Sequence, residues 1–200
     1  MRSATLLIFA KPPRIGISKT RLAKGLGAAE ARRIATFTLA RTLSAARASR
    51  LRTLVCVAPD GMVRDRASAH ILGRFDLAPQ GRGGLTERLT RAFEAASLGP
   101  VLFVGADAPD MSAARLRDAV GRLRRHDAVF GPARDGGFWL FGLHKGLRTV
   151  APFDGVRWSG PHAMEDVWSR LPATSRIGLL DTLIDIDEAD DWTDWVRRER

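Results

Sequence analysis

Residues 101–111 read VLFVGADAPDM, and this stretch decides the fold. Val101–Val104 is an unbroken apolar run behind Gly99-Pro100, the pattern of a strand buried on both faces in a parallel sheet. The chain then breaks into Gly105, Asp107, Pro109 and Asp110, and a helical pattern opens at Ser112, a residue suited to an N-cap. Two carboxylates therefore stand where a central strand ends and a helix begins. In open α/β sheets, ligands bind at that carboxyl edge. Small residues flank Asp107 and clear space around it, and Pro109 fixes the turn. Asp107 is therefore expected to face a ligand or a metal ion. For Asp110 two readings stand: helix capping, or contact with a substrate.

The rest of the chain alternates strands and helices around that edge. Ala4–Ala10 (ATLLIFA) reads as a first buried strand. It runs into KPPRIGISKTRLAKGLG, a glycine-rich loop carrying Lys11, Arg14, Lys19, Arg21 and Lys24. Backbone amides, cationic side chains and the positive end of a following helix all favour an anion there. The loop is no Walker motif, because Ser18 and not glycine precedes Lys19. A helix is expected over Ala28–Arg47, a strand over Thr53–Ala58 and a short helix over Met62–His70. A short strand at Phe75–Leu77 leads to Pro79-Gln80-Gly81-Arg82-Gly83-Gly84, which opens a helix at Leu85–Ala96 with Gln80 and Arg88 at its mouth. Beyond the helix Ala113–Arg125, two apolar runs at Asp127–Phe130 and Phe138–Leu143 flank Asp135-Gly136-Gly137. They suggest strands joined by an excursion over the sheet edge. His144–Gly160 is irregular, Pro161–Leu171 helical, and Ile177–Leu180 a last strand. Asp185-Ile186-Asp187-Glu188 reads either as the acidic start of a C-terminal helix or as metal ligands.

Composition bounds the function. At 200 residues and 45% hydrophobic content, a single domain over residues 1–200 with one sizeable core is expected. One cysteine, Cys56, sits inside an apolar run, so no disulfide framework is possible and a buried structural thiol is expected. Neither a signal peptide nor a membrane-spanning run is recognisable, and a cytoplasmic location is expected. The net charge of +10 comes from cations spread along the whole chain, and tyrosine is absent. No aromatic-plus-basic face of an RNA binder is visible, so small anions such as nucleotides are expected as partners instead of nucleic acid. The four histidines show no metal spacing, and no serine nucleophile elbow is present.

Taken in order, the segments KPPRIGISKTRL, QGRGGLTER, VGADAPD, GPARDGGFWLFGL, WSG and DIDEADDW resemble a bacterial family of nucleotide-diphospho-sugar-transferase-fold (GT-A) proteins. That family is glycosyltransferase-like and was formerly a domain of unknown function. The chain is more distantly similar to molybdenum-cofactor and phospholactate guanylyltransferases. The resemblance spans nearly the whole chain and implies a three-layer α/β/α Rossmann-like sandwich with a mostly parallel mixed sheet. It implies a transferase that uses a nucleotide-activated donor with Mg²⁺ or Mn²⁺. Glycosyl transfer from a nucleoside-diphosphate sugar to a small acceptor comes first. A guanylyl- or cytidylyl-type nucleotidyltransferase releasing pyrophosphate is the alternative, and a non-catalytic nucleotide-binding module the third reading.

Carried over by position, Asp107, Lys19 and Asp135 would be catalytic, and Asp107 and Asp187 would hold the metal. Ala10, Lys11, Arg14, Lys19, Thr20, Arg21, Gln80, Gly81 and Arg88 would surround the nucleotide. Asp110, Asp135, Gly136, Gly137 and Trp158 would border the substrate. The chain departs from the family pattern at Ile17-Ser18, at Gly160 and at Glu188-Ala189, without losing an ionisable group. Homodimerisation stays open.

Overall fold

The computed structural model describes residues 3–16, 18–73 and 75–199. Seven strands form one sheet: β1 (Thr5–Ala10), β2 (Arg52–Val57), β3 (Asp76–Pro79), β4 (Gly99–Val104), β5 (Ala128–Pro132), β6 (Phe138–Lys145) and β7 (Ile177–Leu179). Their spatial order is β3-β2-β1-β4-β6-β5-β7. All neighbours run parallel except β6, which is antiparallel to both β4 and β5. The expected mostly parallel mixed sheet is thus what forms.

The chain winds outward from β1 through β2 to β3, then returns to place β4 on the other side of β1. Between β1 and β4 the winding direction reverses. Such a reversal opens a crevice at the carboxyl ends of the two strands, where no crossover connection can fill the gap. Parallel pairing of Ile8 with Val104 brings the loop after Ala10 beside the loop that carries Asp107.

Period-two alternation explains why these strands are apolar throughout. Leu6, Ile8, Leu102 and Val104 pack on one face, under Leu39 and Leu43 of helix α2 (Ala28–Ser49) and Leu116 of α5 (Ala113–Arg122). Leu7, Val101 and Phe103 pack on the other, against Leu89 and Phe93 of α4 (Leu85–Ala95) and Val167 of α6 (Ala163–Ser169). A third cluster joins Leu22 of α1 (Thr20–Leu26) and Ile34 of α2 to Ile184, Ile186 and Trp195 of α7 (Ala189–Arg198). The remaining helix, α3, spans Arg66–Leu72.

The structure corrects several expectations. Asp135-Gly136-Gly137 lies in the connection of a β5–β6 hairpin, with Phe130 opposite Phe141 and a register shift at Gly131/Pro132, and not in an excursion over the sheet edge. The basic loop contains α1, which the glycines and prolines around it disguise. The expected helix over Met62–His70 is a 3₁₀ turn (Asp60–Arg64) followed by α3. His144 and Lys145 extend β6, so the irregular stretch starts later than expected. Ile17 lies outside the described residues. Among the described residues, no helix is long and apolar enough to cross a membrane.

Cys56 is buried on the α4 side of β2, and burial pushes its thiol up to about 12. At pH 8 the native protein should therefore resist alkylation by iodoacetamide. The same thiol should react once the chain is unfolded in guanidinium, as mass spectrometry would read directly.

Candidate functional site

The crevice between β1 and β4 opens into two adjoining lobes. The first, of about 360 Å³, is lined by Lys11, Ser18, Lys19, Gln80, Arg88, Asp107 and Asp187, among others. The second, of about 270 Å³, lies toward the β5–β6 hairpin and carries Asp135, Gly137, Phe138, Trp158 and Asp185. Phe9, Leu85, Asp107 and Ser159 border both.

Lys19 is the hub. It stands just before α1 with a left-handed backbone (φ 54°), and its side chain is only 6% exposed. The ammonium lies 2.9 Å from Asp107 Oδ1 and 3.2 Å from Asp187 Oδ1, while Arg21 reaches Asp187 Oδ2 at 3.4 Å. Burial disfavours the ammonium, but the charges and hydrogen bonds of the two aspartates outweigh that and hold its pKa above the usual lysine value. Three segments far apart in sequence thus converge on one charge.

The segment before α7 supplies its carboxylates by strand-like alternation. Ile184 and Ile186 are buried in the third cluster, so Asp185 and Asp187 turn toward the cleft. The Ile186 N–H donates to the Asp107 carbonyl at 3.0 Å, tying this segment to the β4 loop. The acidic stretch therefore divides its labour: Glu188 forms a capping box with Asp191 for α7, while Asp185 and Asp187 line the lobes. Burial and the nearby charges of Asp135, Asp107 and Asp187 push the Asp185 carboxyl up to about 6.

Other sequence-predicted residues divide clearly. Ala10, Lys11, Gln80 and Arg88 line the first lobe. The Gln80 amide donates to the carbonyls of Cys56 (2.9 Å) and Ala10 (3.4 Å), so it also ties β1 to β2. Asp135, Gly137 and Trp158 line the second lobe, and the Gly137 N–H donates to Asp135 Oδ1 at 2.8 Å. Thr20 is exposed at the start of α1 and borders neither lobe. Five more residues are not brought into the lobes, one of them Arg21, which only reaches Asp187 from outside. Arg14 pairs with Asp65 at 2.7 Å. Asp110 Oδ1 accepts the Trp195 indole N–H at 2.8 Å, anchoring α7. Gly81 makes a left-handed turn (φ 80°) against the Arg91 guanidinium, and its N–H is held by Asp60. Gly136 (φ 86°) is pressed against the Pro161 carbonyl, where a side chain would collide.

Sequence reasoning placed Asp185 only within an acidic run, read as a helix start or as metal ligands and not at the second lobe, and did not single out Ser159. The alternation Leu183-Ile184-Asp185-Ile186-Asp187 could have revealed the first. Ser159 adopts a left-handed conformation (φ 63°) over both lobes, for which the adjacent glycine is only a weak signal. Its strap is held in place: Trp158 Nε1 donates to Thr86 Oγ1 at 2.8 Å, and Arg157 makes a forked pair with Asp166.

Hard divalent cations take oxygen ligands; the carboxylates of Asp107 and Asp187 are the oxygens that converge here, and in this structure they pair with Lys19 and Arg21. Among the described residues, no three His, Cys, Asp or Glu side chains form a ready-made cage, so phosphate oxygens would have to complete the sphere. The Ser18 hydroxyl, buried in the first lobe, has no hydrogen-bond partner among the described residues. An unsatisfied hydroxyl beside a lysine suits an incoming oxyanion.

A sequence family described as uncharacterized proteins conserved in bacteria, DUF2064, matches residues 39–160. The chain belongs to the DUF2064 family. The match takes in Gln80, Arg88, Asp107, Asp135 and Trp158 but stops short of Lys19 and Asp187. No curated protein matches this DUF2064 chain. Among solved structures it is similar to a candidate nucleotide-diphospho-sugar transferase from Desulfovibrio desulfuricans G20, at 27% identity and a TM-score of 0.88, covering 100% of this chain and 89% of that one. It is also similar in fold to 4-diphosphocytidyl-2C-methyl-D-erythritol synthase from Anaerococcus prevotii DSM 20548 (11% identity, TM-score 0.60, covering 100% and 99%). Rv0371c in complex with manganese, from Mycobacterium tuberculosis H37Rv, shares the fold as well (14% identity, TM-score 0.57, covering 98% and 99%). The architecture is that of the nucleotide-diphospho-sugar transferase-like folds.

The raised Asp185 pKa makes a stability prediction. Its folded-state pKa lies above the ordinary value of 3.8, so ionisation destabilises the native state as pH rises from about 4 through 6. Asp185→Asn should stabilise the ligand-free protein at pH 8 by on the order of 2 kcal/mol. Near pH 4 it should change little, as thermal melts at the two pH values would show.

Proposed function

We propose that this chain is a transferase acting on a nucleotide-activated donor with a divalent cation, and that it transfers a glycosyl group from a nucleoside-diphosphate sugar to a small acceptor. The observation that carries this reading is the first lobe, where Lys19 is held between Asp107 and Asp187 and flanked by Lys11, Arg88 and the unsatisfied Ser18 hydroxyl. The likeness to the nucleotide-diphospho-sugar transferase candidate supports it. Folds of the nucleotidyltransferase kind also occur among the similar structures, so release of pyrophosphate from a nucleoside triphosphate is the second reading.

In this reading Lys11, Lys19 and Arg88 bind the diphosphate and offset the charge that grows on the leaving group. Ser18 donates to a phosphate oxygen. Mg²⁺ or Mn²⁺ held by Asp107 and Asp187 supplies Lewis-acid neutralisation of the phosphate oxygens when bound. Asp135, with Oδ1 anchored by the Gly137 amide, keeps its other oxygen free toward the second lobe. There it takes the proton of the attacking acceptor hydroxyl as the bond between anomeric carbon and diphosphate oxygen breaks. The Trp158–Gly160 strap covers the junction and limits access of water.

Incubation with Mn²⁺ or Mg²⁺, a panel of nucleotide sugars and triphosphates, and a bacterial small-molecule extract tests the reaction class. Release of a nucleoside diphosphate from one nucleotide sugar is the expected result. Pyrophosphate from one triphosphate would select the second reading, and release of neither would refute both. Asp107→Ala should lower turnover on the order of 10²–10³-fold with little change in melting temperature, since Lys19 keeps Asp187 as a partner. Undiminished turnover would remove Asp107 from the mechanism.

A further inference from the structure

The two lobes differ sharply in charge. Lys11, Lys19 and Arg88 line the first. Among the described residues, no lysine, arginine or histidine lines the second, although the chain carries a net charge of +10. What the second lobe offers is three carboxylates, Asp107, Asp135 and Asp185, against walls of Phe103, Phe138 and Trp158. Among the described residues, neither Asp135 nor Asp185 is ion-paired. The cations closest in sequence to Asp135 and Asp185 point elsewhere: Arg134 pairs with Asp194 at 3.6 Å on α7, and Arg176 with Asp127 at 3.8 Å.

We infer that the second lobe selects an uncharged, hydroxyl-rich group with an apolar face and rejects anionic ones. The inference rests on the reading of the first lobe as the nucleotide site and specifies the chemistry of what lies beside it. Carboxylates without cation partners are strong hydrogen-bond acceptors, and hydroxyl groups supply the donors they lack. Aromatic walls cover the C–H face of a sugar ring without demanding charge. A carboxylate or phosphate placed there would meet like charges in a partly desolvated cavity and would leave the aspartates unsatisfied. The same partition disfavours a phosphate acceptor, which the nucleotidyl-transfer reading requires, and favours an acceptor that attacks through a hydroxyl.

Titration calorimetry in Mn²⁺ tests this with uridine and guanosine diphosphates and with nucleotide hexoses in matched pairs. Within a pair, the sugars differ only at C6, as the neutral hexose or its uronate. The neutral hexose is expected to bind about 10-fold or more tightly than the uronate. In an Asp135→Asn/Asp185→Asn double variant, whose fold a thermal melt confirms, the pair should converge to within about 3-fold. Equal or tighter binding of the uronate by the wild-type protein would overturn the inference. So would discrimination that survives in the double variant. If the diphosphates bind but the hexoses are not told apart, only this inference fails. If no diphosphate binds, the nucleotide reading fails and takes this one with it.

Discussion

One buried ammonium holds the cleft together. Lys19 comes from the start of α1, Asp107 from the end of β4, and Asp187 from the segment before α7, yet all three meet within hydrogen-bonding distance. A lysine this buried is tolerated because carboxylates face it, and here two do. Removing either partner changes the charge balance of the site but leaves the ammonium paired; removing the lysine leaves two acids facing each other. Its position is dictated by backbone as much as by charge, because the left-handed turn at Lys19 aims the side chain inward as α1 begins.

The cleft itself follows from sheet topology. Parallel strands need long crossovers, and the reversal between β1 and β4 leaves their carboxyl ends uncovered. Two independent ties then fix the walls. The Ile186 amide meets the Asp107 carbonyl, and the Trp195 indole meets Asp110. Asp110 thus serves the site through α7 and not by touching what binds there. On the opposite wall, Gly136 lets the strap before α6 close against the hairpin, which positions Trp158 and Ser159 above the lobes.

Much of this was legible in the sequence because the informative signals were local. Apolar runs bounded by glycine and proline marked β1, β2 and β4, and the break after Val104 marked Asp107. Lys11, Lys19 and Arg88 were legible as cations following strands or opening helices. What escaped was set by long-range geometry. Arg14 and Lys19 look alike in the basic loop, but only tertiary contacts decide that one meets Asp65 and the other Asp107. Asp110 and Asp107 stand three residues apart, and the indole of Trp195 decides their different fates. Helix α1 was hidden because Gly25 and Gly27 depress local helix propensity, whereas Leu22 earns its place through packing in the third cluster. The hairpin around Asp135 was misread because a turn-rich connection does not by itself specify which strands pair.

The alternation that turns Asp185 and Asp187 inward has a consequence for the order in which the molecule is made. All seven strands, both faces of the sheet core and the loop bearing Asp107 are complete before that segment is synthesised. A nascent chain can therefore gather most of its hydrophobic core while the cleft still lacks two carboxylates, and Lys19 has only Asp107 to face. Assembly of the sheet and completion of the chemical centre are separate events in time, and the second waits for the last elements of the chain.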